Sequence, residues 1–368
     1  RNFDSSTDLG MIALGARRMD VYAEAHGITA IKANLFGGEP LLDGAERLYQ
    51  RCEAIRENMP NVPDIEILTT TNGVRLGRDP ALRRAIREED VKTKISYDGY
   101  EEAHNANRPY GNGKGTHKLV RDAIKTFSAE CPEQFAGLQC TLTDPTTDAV
   151  RTYDSLAECA PPMINFLLDH SQTGRRRPPE RFEDVLTQDT PVGDWLIRAF
   201  DRHVATWRQG GPRVRLFHNI MLLCRGGKSE ADSVGLTPTT FVALAPDGSW
   251  RLDSAYNAAY EGAANTGMNV FKHSLDQVWE HPALRRSRLG RLGLSATCQS
   301  CPIVDRCGAG LPSHRFWNSR GETPPPSEYV AELFDYPSVY CPDLARLILH
   351  VQAFVDRYPS TPNVSRPA

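Results

Sequence analysis

Apolar positions along this chain fall into short runs whose spacing alternates between two periods. In "LGMIALGARRMDVYAEAH" (9–26), Leu9, Ile12, Met19, Tyr22 and Ala23 recur at helical intervals, and Gly27 supplies a stop. "TAIKANLF" (29–36) is a compact strand pattern, and residues 44–59 form an amphipathic helix with Leu48, Cys52 and Ile55 on one face. The alternation continues with strand "DIEILTTT" (64–71), helix "PALRRAIREED", strand "KTKISY" (92–97) and helix "HKLVRDAIKTFSAE", which Thr116 is placed to cap. Strand "AGLQCTLT" (136–143), helix "TDAVRTYDSLAEC" and strand "MINFLLD" (163–169) complete it. Five strands alternating with helices predict parallel βαβ units.

Barrels of such units carry their sites at the C-terminal ends of the strands. "GGEP" (37–40), "NG" (72–73), "DG" (98–99) and "DPTT" (144–147) all fall at those ends, so one functional rim is predicted. The alternation opens with a helix, so a first strand is expected ahead of it. Beyond residue 170 the pattern changes. "SQTGRRRPPERF" is a basic connection whose Arg175, Arg176 and Arg177 read as a solvated loop. "PVGDWLIRAFDRHVATWRQGG" (191–211) is a helix whose Trp195, Leu196, Phe200, Val204 and Trp207 form a core stripe. "TTFVALAPDGSWRLD" predicts a hairpin around Asp247-Gly248. The chain thus divides into 1–170, a helical connection over 171–232, and a third region over 233–368.

Composition narrows the class. With 368 residues, 40% apolar and 24% charged, the chain buries a sizeable core, and its formal charge of −3 advertises neither a nucleic-acid nor a membrane surface. No apolar run approaches the roughly 18 residues of a spanning helix. No signal peptide is evident, which predicts a soluble, cytoplasmic protein.

The nine cysteines carry the strongest chemical signal. In "TCQSCPIVDRCGAG", Cys298 and Cys301 form a C-x-x-C knuckle and Cys307 follows after five residues. Thiolates at this spacing converge on a soft metal centre, and Cys341 in "FDYPSVYCPDL" is the candidate fourth ligand. Four cysteines suit structural zinc or a [4Fe–4S] cluster, and His314 competes as a ligand. Cys52, Cys131, Cys140 and Cys159 read as small buried hydrophobes, with Cys224 kept as a possible extra ligand. "RPYGNGKGTHK" lacks the residue order of a phosphate-binding P-loop and reads as a loop. Neither H-E-x-x-H nor G-x-S-x-G occurs, so hydrolysis has no support, and His26 and His170 read as structural.

These pieces together resemble radical S-adenosylmethionine enzymes: "FGGEPLL", "TTNG", "ISYDG" and "HNANRPYGNGKGTHK" follow successive strands as in that superfamily. The CxxCPxxxxCGxG segment resembles the SPASM or twitch extension, which carries an auxiliary iron–sulfur cluster. More narrowly, "LSATCQSCPIVDRCGAGLPSHRF", "FDYPSVYCPDL" and "DGSWRLDSAYNAAYEGAANTGMNVFKHSLDQV" resemble the cyclophane-forming peptide maturases. The resemblance implies a partial (β/α)6 TIM-like barrel lacking its first strand, with a C-terminal auxiliary-cluster domain.

It also implies that Gly37, Gly38, Glu39 and Pro40 hold the methionine end of S-adenosylmethionine, with Glu39 facing its ammonium group. Ser96 and Asp98 match positions near the ribose or carboxylate, and Asn72 and Arg108 are neighbours. Cys298, Cys301, Cys307 and Cys341 match the auxiliary [4Fe–4S] ligands. The implied partners are a ribosomally made precursor peptide and an electron donor such as flavodoxin or ferredoxin. The implied reaction joins an aromatic ring to a side-chain Cβ. Alternatives are a sulfatase-maturase-like oxidation, thioether formation, or an inactive peptide-binding scaffold holding zinc. The reaction needs a general base, for which Asp247 and Asp169 are candidates.

One departure stands out. The superfamily's C-x-x-x-C-x-x-C loop, which binds the catalytic [4Fe–4S] cluster, is absent from this sequence. A lost N-terminus and a degenerate relative both explain this. The missing first strand, and the likeness of "RNFDSS" to the stretch that usually follows the loop, favour loss.

Overall fold

The computed structural model describes residues 8–207, 210–319 and 329–358; "RNFDSS" lies outside them. Helix α1 (Leu9–His26) leads into β1 (Ala30–Leu35), α2 (Gly44–Glu57), β2 (Asp64–Thr71), α3 (Pro80–Glu88) and β3 (Lys92–Ser96). Next come α4 (Glu101–Asn107), α5 (His117–Glu130), β4 (Phe135–Leu142), α6 (Ala149–Ala157) and β5 (Met163–Leu168). Residues 171–232 supply α7 (Phe182–Leu186), α8 (Pro191–Trp207), β6 (Arg213–Val214) and α9 (Arg215–Cys224). The strands form one six-stranded sheet in the order β1 to β6, with every neighbouring pair parallel. Its edges do not meet among the described residues, so the barrel is partial, as the family resemblance implies.

The sequence pattern shows five of these strands. The sixth, β6, is two residues long and has no apolar run to announce it. α4 and the third strand of the small sheet described below are likewise absent from the predicted elements. Helix α8 is described as far as Trp207; residues 208–209 lie outside the described residues, and Gly210 and Gly211, which the sequence predicts as helical, are not in a helix.

The two faces of the sheet differ. Ile67, Ile95, Leu138, Cys140, Ile164 and Phe166 are buried on the face the helices cover. Parallel strands covered on both faces read as continuous apolar runs. Here the opposite face carries Lys32, Glu66, Thr70, Lys94, Ser96, Gln139 and Asn165, none of them buried. Lys32 and Glu66 pair across β1 and β2 at 2.6 Å. The inner face is therefore a polar lumen, and the burial alternation along β2 to β5 is the sign of it.

The last region forms a three-stranded antiparallel sheet of β7 (Ala243–Leu244), β8 (Ser249–Arg251) and β9 (Asn265–Asn269), built on the predicted Asp247-Gly248 turn. It has its own core around Trp250, Leu252, Tyr256 and Val270. The sheet is tied to α1, where Arg18 donates to the carbonyls of Val270 (3.0 Å) and Phe271 (3.2 Å). Short helices α10 (Leu275–Trp279), α11 (Pro282–Arg288), α12 (Ala296–Gln299) and α13 (Val304–Cys307) follow. Finally α14 (Cys341–Arg357) returns to pack on α8 and α9. Trp195, Leu196 and Phe200 are buried in that contact region, as the stripe predicts.

Candidate functional site

Glu39 stands beyond the tip of β1, where Pro40 ends the strand direction. Its Oε1 accepts from Thr71 Oγ1 (2.6 Å) and the Leu41 amide (3.3 Å), and its Oε2 from the Asn72 amide (2.8 Å). The carboxylate thus joins the tips of β1 and β2. Each carboxylate oxygen offers two lone-pair sites, so Oε2 keeps capacity for one more donor. A Cβ added to Gly37 or Gly38 meets nothing within 4 Å, so both glycines border open space where a ligand can approach the backbone. The Asn72 side chain turns back on the Val74 amide (2.9 Å).

Ser96, at the end of β3, lies in one lateral row with Gln139 of β4 and Asn165 of β5 on the lumen face. Gln139 and Asn165 escaped the sequence reading, although period-two burial within otherwise apolar strands is the signal that finds them. Asp98 and Arg108 are brought together. The Arg108 fork donates Nε to Oδ2 (2.7 Å) and Nη2 to Oδ1 (3.3 Å), and Oδ1 also accepts from the Thr141 amide (2.9 Å). The buried carboxylate is therefore paired by the chain itself.

Behind Asp98 lies a histidine network that the sequence did not announce. His104 is buried, and its Nδ1 accepts from the Asp98 amide at 3.1 Å. An amide only donates, so the ring proton sits on Nε2 and points at Thr116 Oγ1 (3.0 Å), which donates onward to the Arg108 carbonyl (2.5 Å). Burial, with Arg108 and His117 adding to it, lowers the His104 pKa to about 3 and keeps it neutral. Thr116 occupies the helix N-cap position, but its hydroxyl makes no cap bond because this network claims it. The glycine-rich loop before it is closed by the Tyr110 amide on the Lys114 carbonyl (2.8 Å).

Cys298, Cys301, Cys307 and Cys341 line one cavity walled by apolar side chains including Val185, Ile303 and Val304. α12 delivers Cys298, the turn between α12 and α13 Cys301, the end of α13 Cys307, and the first turn of α14 Cys341. Burial pushes all four thiols up, Cys307 to about 12. Four sulfurs held about 2.3 Å from one zinc ion lie within about 4 Å of one another. No three metal-binding side chains among the described residues are grouped to hold a single ion. Four thiols around one cavity suit a thiolate-bound centre, either zinc or a [4Fe–4S] cluster. His314 is no part of this ring: its Nε2 is engaged by His170 Nδ1 at 2.8 Å. Cys224, whose thiol is raised to about 11 chiefly by burial, also lies off the cavity wall. Cys52, Cys131 and Cys140 are buried in the core, and Cys159 is half-buried against it.

Both proposed bases are committed to turns. Asp169 accepts from the Ser171 amide (2.9 Å) and hydroxyl, and Asp247 accepts from the Ser249 amide (2.9 Å), its hydroxyl and Arg251. The three arginines of 175–177 each bond within the chain, to Ser171, Asp189 and Glu180.

No protein-family model matches this chain, and no curated protein matches it in sequence. Solved structures do match. Native anSMEcpe with bound AdoMet is 18% identical with a TM-score of 0.76, over 96% of this chain and 90% of that one. The same protein with bound AdoMet and Cp18Cys peptide is 19% identical with a TM-score of 0.74, over 95% and 90%. At these identities the likeness is one of fold, the partial α/β barrel with its C-terminal extension. No helix among the described residues is long and apolar enough to cross a membrane.

Proposed function

We propose that this chain is a radical S-adenosylmethionine enzyme that modifies a ribosomally made peptide by linking an aromatic ring to a side-chain Cβ. The observation that carries the reading is the pairing of two sites in one fold. A glycine-bordered carboxylate stands on the barrel rim, and a four-cysteine cavity stands in the extension. The fold neighbour, solved with AdoMet and a peptide, supports the ligand class.

In this reading Gly37, Gly38, Glu39 and Pro40 hold the amino-acid end of S-adenosylmethionine, and the free capacity of Glu39 Oε2 takes its ammonium. Ser96, Asn72 and the Asp98–Arg108 pair border the rest of the ligand. Cys298, Cys301, Cys307 and Cys341 hold an auxiliary [4Fe–4S] cluster, which when bound supplies a one-electron acceptor. The residues of this sequence hold no C-x-x-x-C-x-x-C loop, so none of them is assigned to the catalytic cluster. The lumen's polar row and the buried His104 network orient ligands and keep the rim's ion pair in place.

The test is metal content and turnover of the anaerobically purified protein. The irons of one four-iron cluster at the four cysteines, formation of 5′-deoxyadenosine, and loss of two hydrogens from a synthetic peptide carrying an aromatic side chain are expected. A modified peptide that reacts with a carbonyl reagent shows oxidation to an aldehyde in place of a crosslink. A colourless protein with stoichiometric zinc overturns the reading in favour of a scaffold.

A further inference from the structure

We propose that His170 is the general base that removes the proton from the modified peptide, and that His314 is the positioning residue that keeps its Nε2 free for this. The inference rests on the peptide-modifying reading above.

His170 opens a short turn directly beyond β5, so it stands on the rim that carries Glu39, Asn72 and Asp98. That turn packs against the segments Ser254–Ala258 and Pro312–Arg315 of the extension. His170 Nδ1 and His314 Nε2 are 2.8 Å apart, with ring centroids at 4.9 Å. His314 is buried and held from three sides. Its carbonyl accepts from the Val339 amide (2.8 Å), and its ring meets Tyr340 edge-on. The Tyr340 hydroxyl in turn donates to the Asp169 carbonyl (2.7 Å). His170 Nε2 has no hydrogen-bond partner among the described residues and is not sealed from solvent.

A neutral imidazole has one donor and one acceptor nitrogen. When His314 Nε2 accepts, the proton of His170 lies on Nδ1 and its lone pair lies on Nε2. The hydrogen bond at one nitrogen thus fixes the basicity of the other. Burial holds His314 neutral, with a pKa of about 3; His170 and Arg315 also disfavour its cation, while Asp169 favours it. Around His170, burial disfavours the cation most, and the carboxylates of Asp253 and Asp169 favour it. The neutral, proton-accepting form is therefore the resting one. Both carboxylates make local amide bonds, Asp253 with Ala255 (2.8 Å) and Asp169 with Ser171.

A radical on the peptide reaches a closed-shell product, whether crosslink or aldehyde, by giving up one electron and one proton. The proton passes from the substrate to His170 Nε2, where an N–H bond forms as the substrate's bond to hydrogen breaks. Cys298, Cys301, Cys307 and Cys341 would hold the iron–sulfur group that takes up the electron. The segment that fixes His314 through Val339 also presents Ser338 and Cys341 to the four-cysteine cavity, so the proton and electron acceptors share one support.

The experiment compares the holoenzyme with H170Q, H314L and H314Q, using a synthetic peptide that carries an aromatic side chain. In H170Q the ratio of modified peptide to 5′-deoxyadenosine is expected to fall about 100-fold. H314L is expected to fall nearly as far and to shift the pH profile. H314Q, whose amide oxygen still accepts from Nδ1, is expected to recover most of the loss. In the wild type, nitrogen-15 NMR of labelled histidine should find His170 protonated at Nδ1 and bare at Nε2. Iron content reports folding in each variant, and H170N replaces H170Q where iron is lost. A wild-type ratio in H170Q, or the reversed tautomer, overturns the proposal. A wild-type enzyme that forms no 5′-deoxyadenosine overturns the radical reading itself, and the base falls with it.

Discussion

Glu39 stands where it does because the tips of β1 and β2 share it as an acceptor, and under the proposed function a cationic ligand uses the same carboxylate. Its three protein donors fix the carboxylate, and charged hydrogen bonds of this kind contribute about 1.5–3 kcal/mol each. We expect E39Q to weaken S-adenosylmethionine binding about tenfold, or about 1.4 kcal/mol, read by calorimetry. The thermal midpoint should also fall slightly as the β1–β2 tie loosens. Gly308 shows the opposite constraint, space rather than charge. Its φ is +62°, and a Cβ there would lie 1.7 Å from the Gly235 carbonyl oxygen. G308A should therefore cost about 3 kcal/mol or more. Because Gly308 follows Cys307, iron per chain should fall together with the melting temperature.

Between elements, single groups hold whole loops. The Arg108 fork links the end of α4 to the tip of β3 and, through Asp98, to the Thr141 amide of β4. R108A would leave a buried carboxylate without its counter-charge, at about 3–5 kcal/mol. R108K should recover only part, because an ammonium cannot reproduce the fork. A urea titration distinguishes the two. Arg315 plays a comparable part in the extension, donating to the carbonyls of Gly308 (2.8 Å), Ala309 (3.1 Å) and Gly310 (2.7 Å). This clamp shapes the turn after Cys307 and sets a positive group near Cys298 and Cys307. Metal removal exposes the same dependence. With their thiols pushed up by burial, the four cysteines are protonated at neutral pH without metal. Metal binding at these four cysteines, as the proposed function has it, would then release protons, so iron affinity of the metal-free protein should rise with pH.

For the whole molecule, acid sensitivity follows from its buried histidines. Burial lowers His104 and His314 to about 3, and His203, His218 and His281 to about 4. Their unfolded values lie near 6.5, so between these limits the unfolded chain binds more protons than the folded one. Their stabilising contribution is complete above pH 6.5 and is lost as pH falls toward 4, by about 1.4 kcal/mol per pH unit for His104, His203 and His314 and by less for the more solvent-screened His218 and His281. Urea midpoints at pH 7.5 and pH 5 should differ sharply. Near-equal midpoints would show that these histidines are not buried neutral.

The sequence by itself determined the βαβ alternation, the rim of strand-end turns and the cysteine knuckle. Hydrophobic period, glycine punctuation and C-x-x-C spacing are local properties, and a chain carries them before it folds. Five of the six strands and the large helices α1, α2, α5 and α8 were legible on that ground. Tertiary structure decided what no local pattern encodes. It added β6, which exists only because β5 offers an edge to pair with. It paired Asp98 with Arg108, turned Thr116 from cap to network, and set His170 against His314 across 144 residues of chain. It also drew Cys341 to the cavity of Cys298, Cys301 and Cys307 and left Cys224 outside. Each of these depends on distance in space between groups far apart in sequence, and only packing around a shared core sets that distance.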